Sequence, residues 1–352
     1  MKPMILKMKN ISPIRKNLLY FGAITIILLT LTFVTGCASG NTTSDTETTS
    51  QNNEVEQPSN EVPSSNENDT QEQDDKEGWP EVVRFALLPT EDMEMLGRTY
   101  EPFINYLEAR LDRPVELNHP TDYTATVEAM RGKHVEISTF GPFSFVLAYQ
   151  RAGAVPVAVR LSTPEDDPTY ESFIITRKDT GIEKLEDLKG KNFAFADPAS
   201  TSGHLFPKAH IMNEMGLSLD EIDSWFGNTT FSGGHEASFL SVLNGDVDAA
   251  AIYDRSFDRF AERNQDHPNI DDMIIIDRGN PIPNSPFTVR GDLPESFQKA
   301  VQDAMLDMLD EKENYPGLAE FMEEINALGG YFAADIDAYQ IVIDTAERLE
   351  MQ

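Results

Sequence analysis

The chain has 352 residues, with 28 basic and 60 acidic side chains and a net charge of −32 at neutral pH. So acidic a surface repels nucleic acid and anionic lipid, which excludes a nucleic-acid partner, and the length suits one large domain or two lobes of ordinary size. A single cysteine excludes an internal disulfide framework.

The first element is a leader. Lys2, Lys7, Lys9, Arg15 and Lys16 precede an apolar stretch from Leu18 to Val34, which reads as an export signal over residues 1–36. An uncleaved anchor is the alternative, since the stretch nears the ~18 residues of a membrane span, although Thr25, Thr30 and Thr32 weaken it. Either way the remainder lies outside the cytoplasmic membrane. Val34-Thr35-Gly36-Cys37 resembles the lipobox of bacterial lipoproteins, and the resemblance implies that Cys37 becomes the lipid-bearing N-terminus. With the five basic residues of the signal removed, 23 basic residues face 60 acidic ones, a net charge of −37. Residues 37–78 are almost wholly Ser, Thr, Asn, Gln, Glu and Asp. Such a segment cannot bury enough apolar surface to offset its ordering entropy, so a disordered acidic tether is expected, with a reach of roughly 35 Å as a flexible coil.

From Trp79 onward strands and helices alternate. Val82–Leu88 reads as a strand, Tyr100–Leu111 as a helix with apolar spacing at Phe103, Ile104, Leu107 and Leu111, and Val115–Leu117 as a second strand. Thr121-Asp122-Tyr123 reads as a turn entering a helix that runs to Met130, and Val135–Phe140 as a strand stopped by Gly141-Pro142. The rhythm repeats with Ser172–Arg177, Leu185–Leu188, Asn192–Ala196, Leu205–Met215, Ala237–Leu243 and Val247–Tyr253, and three helices close the chain over Glu295–Leu309, Leu318–Leu328 and Tyr339–Leu349. This alternation predicts parallel α/β sheets with a ligand crevice at the carboxyl ends of the strands. The loops there are 89–91, 140–143, 197–204, 232–236, 253–255 and 281–286, rich in Ser, Thr, Gly, His and Tyr.

Among them Asp197-Pro198-Ala199-Ser200-Thr201-Ser202-Gly203 carries the most chemistry, because it lies between an apolar strand and a helix start. Hydroxyls, free backbone amides and the helix dipole there can receive a tetrahedral oxyanion, although Ser and Thr at a helix start also serve as plain N-caps. Hydrogen bonds to a charged acceptor contribute roughly 1.5–3 kcal/mol each, so four or five neutral donors offset desolvation and no arginine is required. His235 can add a donor or a charge. Tyr123, Tyr170 and Tyr253 are candidates either for ligand contact or for the core. Asp254 could bind a cationic amine, accept the proton of a monoprotonated oxyanion, or simply cap a strand end.

The order of motifs resembles the solute-binding proteins of phosphonate and phosphite ABC importers. Leu88-Pro89, Thr121-Asp122-Tyr123, Phe140-Gly141-Pro142, Tyr170-Glu171-Ser172, Leu185–Lys191, Asp197–Gly203, Gly234–Ser238 and Asn244–Ala250 carry it, over Val82 to about Leu293. The resemblance implies a two-lobed, type II periplasmic-binding-protein-like fold in which each lobe is a mixed sheet flanked by helices. One lobe would comprise 79–170 plus 277–352 and the other 171–276. It implies a small phosphorus oxyanion held by Ser200, Thr201, Ser202 and His235, with Tyr123 closing over it and the Gly141 turn lining the opposite wall. Further implications are delivery to an ABC permease, a membrane tie through lipid on Cys37, a monomer, and neither cofactor nor metal. Relatives that take aminophosphonates place carboxylates in the pocket. Ser285 stands where one is expected, which favours phosphite, a simple alkylphosphonate or phosphate.

Two other function classes compete with this reading. A hydrolase could use Ser200, Ser202, His204 and His235, but no Gly-x-Ser-x-Gly elbow occurs and three equivalent hydroxyls suit binding better than one activated nucleophile. A ligand-presenting sensor module fits the same tether and lobes and would need a separate signalling partner.

Overall fold

The structure is a computed structural model that describes residues 76–352. The expected signal, Cys37 and nearly all of the expected tether lie outside the described residues.

The chain opens with β1 (Val83–Leu87), α1 (Met93–Leu111), β2 (Val115–Asn118), α2 (Tyr123–Arg131), β3 (Ile137–Thr139), α3 (Pro142–Ala152) and β4 (Ala154–Arg160). It crosses through β5 (Thr169–Tyr170) into β6 (Ser172–Arg177), β7 (Asn192–Phe195), α4 (Phe206–Met215), α5 (Leu219–Trp225), β8 (Asn228–Phe231), α6 (His235–Asn244), β9 (Ala249–Tyr253), α7 (Ser256–Arg263) and β10 (Met273–Arg278). It returns through β11 (Ile282–Pro283) to β12 (Pro286–Arg290), α8 (Glu295–Glu311), α9 (Leu318–Glu324), β13 (Tyr331–Ala333) and α10 (Gln340–Arg348).

Two sheets result, one per lobe, in the orders β13-β4-β12-β3-β1-β2 and β10-β6-β9-β7-β8. Tyr170 of β5 pairs with Ile282 of β11 in a two-stranded ribbon where the chain crosses between them. The sheets are mixed, as the family resemblance implied, and not parallel throughout as the alternation alone predicted. β1 runs parallel to β2 and β3, and β7 parallel to β8 and β9. β12 with β3, β13 with β4 and β6 with β9 are antiparallel, and so are two pairs set by the crossings themselves. β4 runs toward the crossing while β12 leaves it, and β6 leaves it while β10 returns, so each pair meets head to tail.

Apart from the exposed edge strand β8, each sheet buries both faces, which explains the near-continuous apolar strands at its centre. Val83, Phe85 and Leu87 of β1 enter one core with Phe103, Tyr106 and Leu107 of α1, while the alternate residue Ala86 joins Tyr123, Phe143 and Phe145 on the other side. In the second sheet Ile174, Phe193 and Ala251 pack on one face, and Phe173, Ala194 and Ile252 on the other.

Beyond β4, α5, β8, α7, β10, β12 and β13, which the sequence reading did not name, two elements near the site depart from expectation. α1 begins two turns earlier, at Met93, because the Asp92 carboxylate accepts a hydrogen bond from Met95 N (2.9 Å) and caps it there. α3 follows directly on the Gly141 N-cap with Pro142 in its first turn, where the sequence suggested only a turn. Its residues Phe143 to Ala148 are all buried, so its first two turns have no polar face and leave no 3.6-residue period to read.

Candidate functional site

The Ser-Thr-Ser segment forms a π-type turn, Thr201–Leu205, leading into α4, and Ser200 is its N-cap. The Leu205 amide donates to the Ser200 carbonyl (3.0 Å) and the Gly203 amide to Ser200 Oγ (3.1 Å). Such wide turns are rare and frequently lie at functional sites. Asp197 organises the turn from below, its carboxylate accepting from Ala199 N (2.7 Å) and, across the lobes, from Tyr123 N (3.4 Å); burial raises its pKa. Ser172 Oγ donates to the Ser202 carbonyl (2.6 Å), which leaves the Ser202 hydroxyl free of that task. Gly203 is required by close packing. A Cβ there would lie 2.4 Å from Ala196 Cβ, 2.8 Å from Ser200 Oγ and 2.9 Å from His235 Cε1.

His235 opens α6 and meets the turn: its Nε2 lies 3.4 Å from Ser200 Oγ, while its Nδ1 is buried without a partner. Burial, with the nearby Arg259 charge, pushes His235 down to about 3, so the imidazole is neutral at physiological pH and has one N–H to donate. His204, the other histidine of the turn, is turned away onto the Pro198 carbonyl (2.9 Å) and packs between Phe195 and Phe231. Burial lowers it to about 4.

These groups form one end of a cleft of about 670 Å3 between the lobes. Each of the six loops singled out in the sequence contributes to its wall, through Thr90, Gly141, Ser200, His235, Tyr253 and Ser285 among others. Ser200, Thr201, Ser202 and His235 are each no more than 3 % exposed. Tyr123 and Tyr170 reach the same end. The Tyr123 hydroxyl is buried with no hydrogen-bond partner of good geometry, and burial raises its pKa well above the usual range. Tyr170 is pushed up to about 12 by burial, an effect that the hydroxyls of Ser202 and Thr201 partly offset. The Tyr253 ring packs edge-on against His235, with centroids 4.9 Å apart.

The lobes meet directly beside these groups. Thr201 Oγ1 accepts from the Phe143 amide (2.8 Å) at the start of α3, so the Gly141 turn does face the Ser-Thr-Ser turn. On the other side the His235 and Glu236 amides donate to the Thr90 carbonyl (3.0 and 3.2 Å), and Glu236 accepts from Asp92 N (2.9 Å). Gly234 permits this approach, since a Cβ there would lie 2.7 Å from the Pro89 carbonyl. Glu91, almost fully buried, accepts from the Tyr253 hydroxyl (2.9 Å) and pairs with Arg259 and Arg263 of α7.

Asp254 differs from the other candidates. Its carboxylate accepts from the backbone amides of Glu171 (3.0 Å) and Arg255 (2.8 Å), and it does not line the cleft. That is the strand-end reading of Asp254, not the ligand-reading one. Sequence reasoning passed over Glu91, Gly203 and the arginines. Arg160, Arg255, Arg259 and Arg263 all reach the cleft wall, although the expectation was that none is needed. The signal available was position: Arg160 is the last residue of β4 and Arg255 lies two residues past β9, at strand ends where ligands gather. Among the described residues no cluster of His, Cys, Asp or Glu has the arrangement of a metal site, and no helix is long and apolar enough to cross a membrane.

Comparison with known proteins gives this geometry its context. The chain is 33% identical over 234 residues to the phosphate-import protein PhnD of Mycolicibacterium smegmatis, a match covering 65% of this chain and 68% of that one. It is 27% identical over 226 residues to the phosphonates-binding periplasmic protein of Escherichia coli, covering 63% and 64% respectively. Its fold is similar to that of PhnD1 from Prochlorococcus marinus, solved in complex with methylphosphonate, with a TM-score of 0.69 at 22% identity over 78% of this chain and all of that one. The family model described as "ABC transporter, phosphonate, periplasmic substrate-binding protein" matches residues 85–339. With its two-lobed fold and its cleft between the lobes, the chain therefore belongs to the extracytoplasmic substrate-binding proteins of phosphonate ABC transporters.

Proposed function

We propose that this protein captures a small phosphorus oxyanion, a phosphonate or phosphite, between its lobes and presents it to an ABC permease while held at the membrane by lipid on Cys37. In this reading the lobes are 79–170 plus 277–352 and 171–276, and the protein works as a monomer on the leash 37–78. The phosphorus group sits on Ser200, Thr201, Ser202 and His235, with Tyr123 and Tyr170 over it.

One observation carries the reading: two polar groups, Tyr123 Oη and His235 Nδ1, are buried without partners at the end of the cleft where the Ser-Thr-Ser turn presents its hydroxyls. Buried polar groups ordinarily find partners, and a tetrahedral anion supplies several acceptors at once. The neutral state of His235 suits a ligand that brings its own negative charge. Binding without turnover is supported by the same histidine. It lies near Ser200, yet no carboxylate orients its Nδ1, and the pair lacks the third group of a nucleophilic triad.

Phosphate is the second reading, favoured by the Mycolicibacterium relative named for phosphate import. Calorimetric titration of the full-length protein, freed of co-purified ligand, with phosphite, methylphosphonate, 2-aminoethylphosphonate, phosphate and sulfate at matched pH separates these. Tight binding of a phosphorus compound and weak binding of sulfate is the expected result. No heat with any phosphorus compound, from folded protein, overturns the reading.

A further inference from the structure

The cleft is much larger than its oxyanion end requires. It encloses about 670 Å3, whereas an oxyanion of five heavy atoms fills on the order of 100 Å3, a few times the ~30 Å3 share of a water. The remaining wall carries charges of both signs, with four arginines and six carboxylates. Arg160 comes to it from one lobe and Arg255 from the other.

Neither guanidinium is neutralised. Arg160 Nε is buried with no hydrogen-bond partner, and no carboxylate of the described residues forms an ion pair with it. Arg255 donates to Asn284 Oδ1 (3.2 Å) and to the Thr169 carbonyl (3.0 Å), both neutral acceptors. Burial and the charge of Arg160 hold Arg255 below the usual arginine range, in spite of the neighbouring Asp254. Arg259 and Arg263 differ, since both pair with Glu91. The cleft's other carboxylates, Asp258, Glu262, Glu320, Glu323 and Glu324, are exposed on its margin.

Two like charges drawn from two lobes into a partly desolvated space repel one another, and an anion between them relieves both. Two tyrosines link this place to the oxyanion end. Tyr170 faces the hydroxyls of Thr201 and Ser202 and feels the charge of Arg255, while Tyr253 packs on His235 and feels that of Arg160.

We propose that Arg160 and Arg255 form a second anion subsite, and that the cleft takes a phosphonate bearing a carboxylate on a short chain. The phosphorus group then occupies the Ser-Thr-Ser turn and the carboxylate bridges the two guanidiniums, each able to donate two parallel hydrogen bonds. A cationic amine in the same place is repelled. This inference rests on the phosphorus-oxyanion reading above and adds the ligand's second charge to it.

The test is a set of calorimetric titrations of the full-length protein with phosphonoacetate and 3-phosphonopropanoate, each against its neutral amide, with methylphosphonate and 2-aminoethylphosphonate alongside. At least one carboxylate should bind about tenfold or more tighter than its amide, and in Arg160→Gln and Arg255→Gln that ratio should fall to about one. The acid-to-amide ratio in the unaltered protein decides the question even where a variant fails to fold. Equal binding of acid and amide overturns the second subsite and leaves the oxyanion reading standing, provided methylphosphonate binds. A ratio that persists in both variants, or tightest binding by 2-aminoethylphosphonate, also overturns it. No binding by any phosphorus compound removes both readings together.

Discussion

Ser200, Thr201 and Ser202 are adjacent, yet their hydroxyls hold different commitments. Thr201 Oγ1 accepts from the Phe143 amide of the other lobe, so replacement by the isosteric valine leaves a buried N–H unpaired, at a cost of about 1–3 kcal/mol. Thr201→Val should therefore lower the thermal midpoint of the ligand-free protein, whereas Ser202→Ala, which takes no partner from a backbone amide, should lower that midpoint less. Ser202→Ala should instead weaken oxyanion binding about ten- to a hundredfold, the loss of one hydrogen bond to a charged acceptor. Melting curves and titrations of the two variants check the contrast. His235 predicts a pH effect. Histidine titrates near 6.5 when unfolded, while His235 is held near 3 when folded. Between those values the unfolded chain binds more protons, so stability falls with falling pH, at up to about 1.4 kcal/mol per pH unit from this group. His204, held near 4, acts in the same direction. The advantage in unfolding free energy of the unaltered protein over His235→Gln should shrink as the pH falls from 7 to 4; a constant difference contradicts the account.

At the scale of elements, the turn–helix junctions carry the site. The π-type turn brings Ser200 and His235 together only because position 203 has no side chain, and Gly203→Ala should displace the imidazole or the loop. Overpacking of this kind costs about 1–3 kcal/mol, and ligand affinity should fall together with the thermal midpoint. Unchanged affinity in a folded Gly203→Ala protein would mean that the turn and His235 do not act as one unit. Strands β1, β2, β3, β6, β7 and β9 were legible in the sequence because their runs are apolar and bounded by turns, whereas β4, β8, β10, β12 and β13 were not read. The Ser-Thr-Ser turn, His235 and the converging loops were legible too, because hydroxyls and glycines cluster at strand ends. α3 was hidden because its first two turns are buried on every side, and the antiparallel pairs β4–β12 and β6–β10 because they depend on where the chain crosses between lobes. Asp254 was ambiguous in sequence, since a carboxylate at a strand end reads the same whether it faces a ligand or its own backbone.

At the scale of the molecule, the net charge of −32 opposes anion capture, and local groups must reverse that field. The arginines of the cleft could not be read as such from the sequence, because their meaning lies in the meeting of two lobes. Glu91 is the clearest case: it leaves the first lobe after β1 and neutralises two arginines of α7 in the second. Removing its charge leaves Arg259 without its carboxylate partner and Arg263 with only the longer contacts to Glu236 (3.7 Å) and Glu324 (3.8 Å), and should favour separation of the lobes. Solution scattering of ligand-free Glu91→Gln should give a larger radius of gyration than the unaltered protein, and superimposable curves would mean that this ion network does not hold the lobes together. The central claim, however, is where the phosphorus group sits, and a crystal structure of the protein with bound methylphosphonate tests it most directly. The account predicts phosphonate oxygens within about 2.5–3.2 Å of donors on Ser200, Ser202 and His235, with the Tyr123 hydroxyl turned onto the same group. Methylphosphonate bound elsewhere in the cleft, with the Ser-Thr-Ser turn untouched, would contradict it.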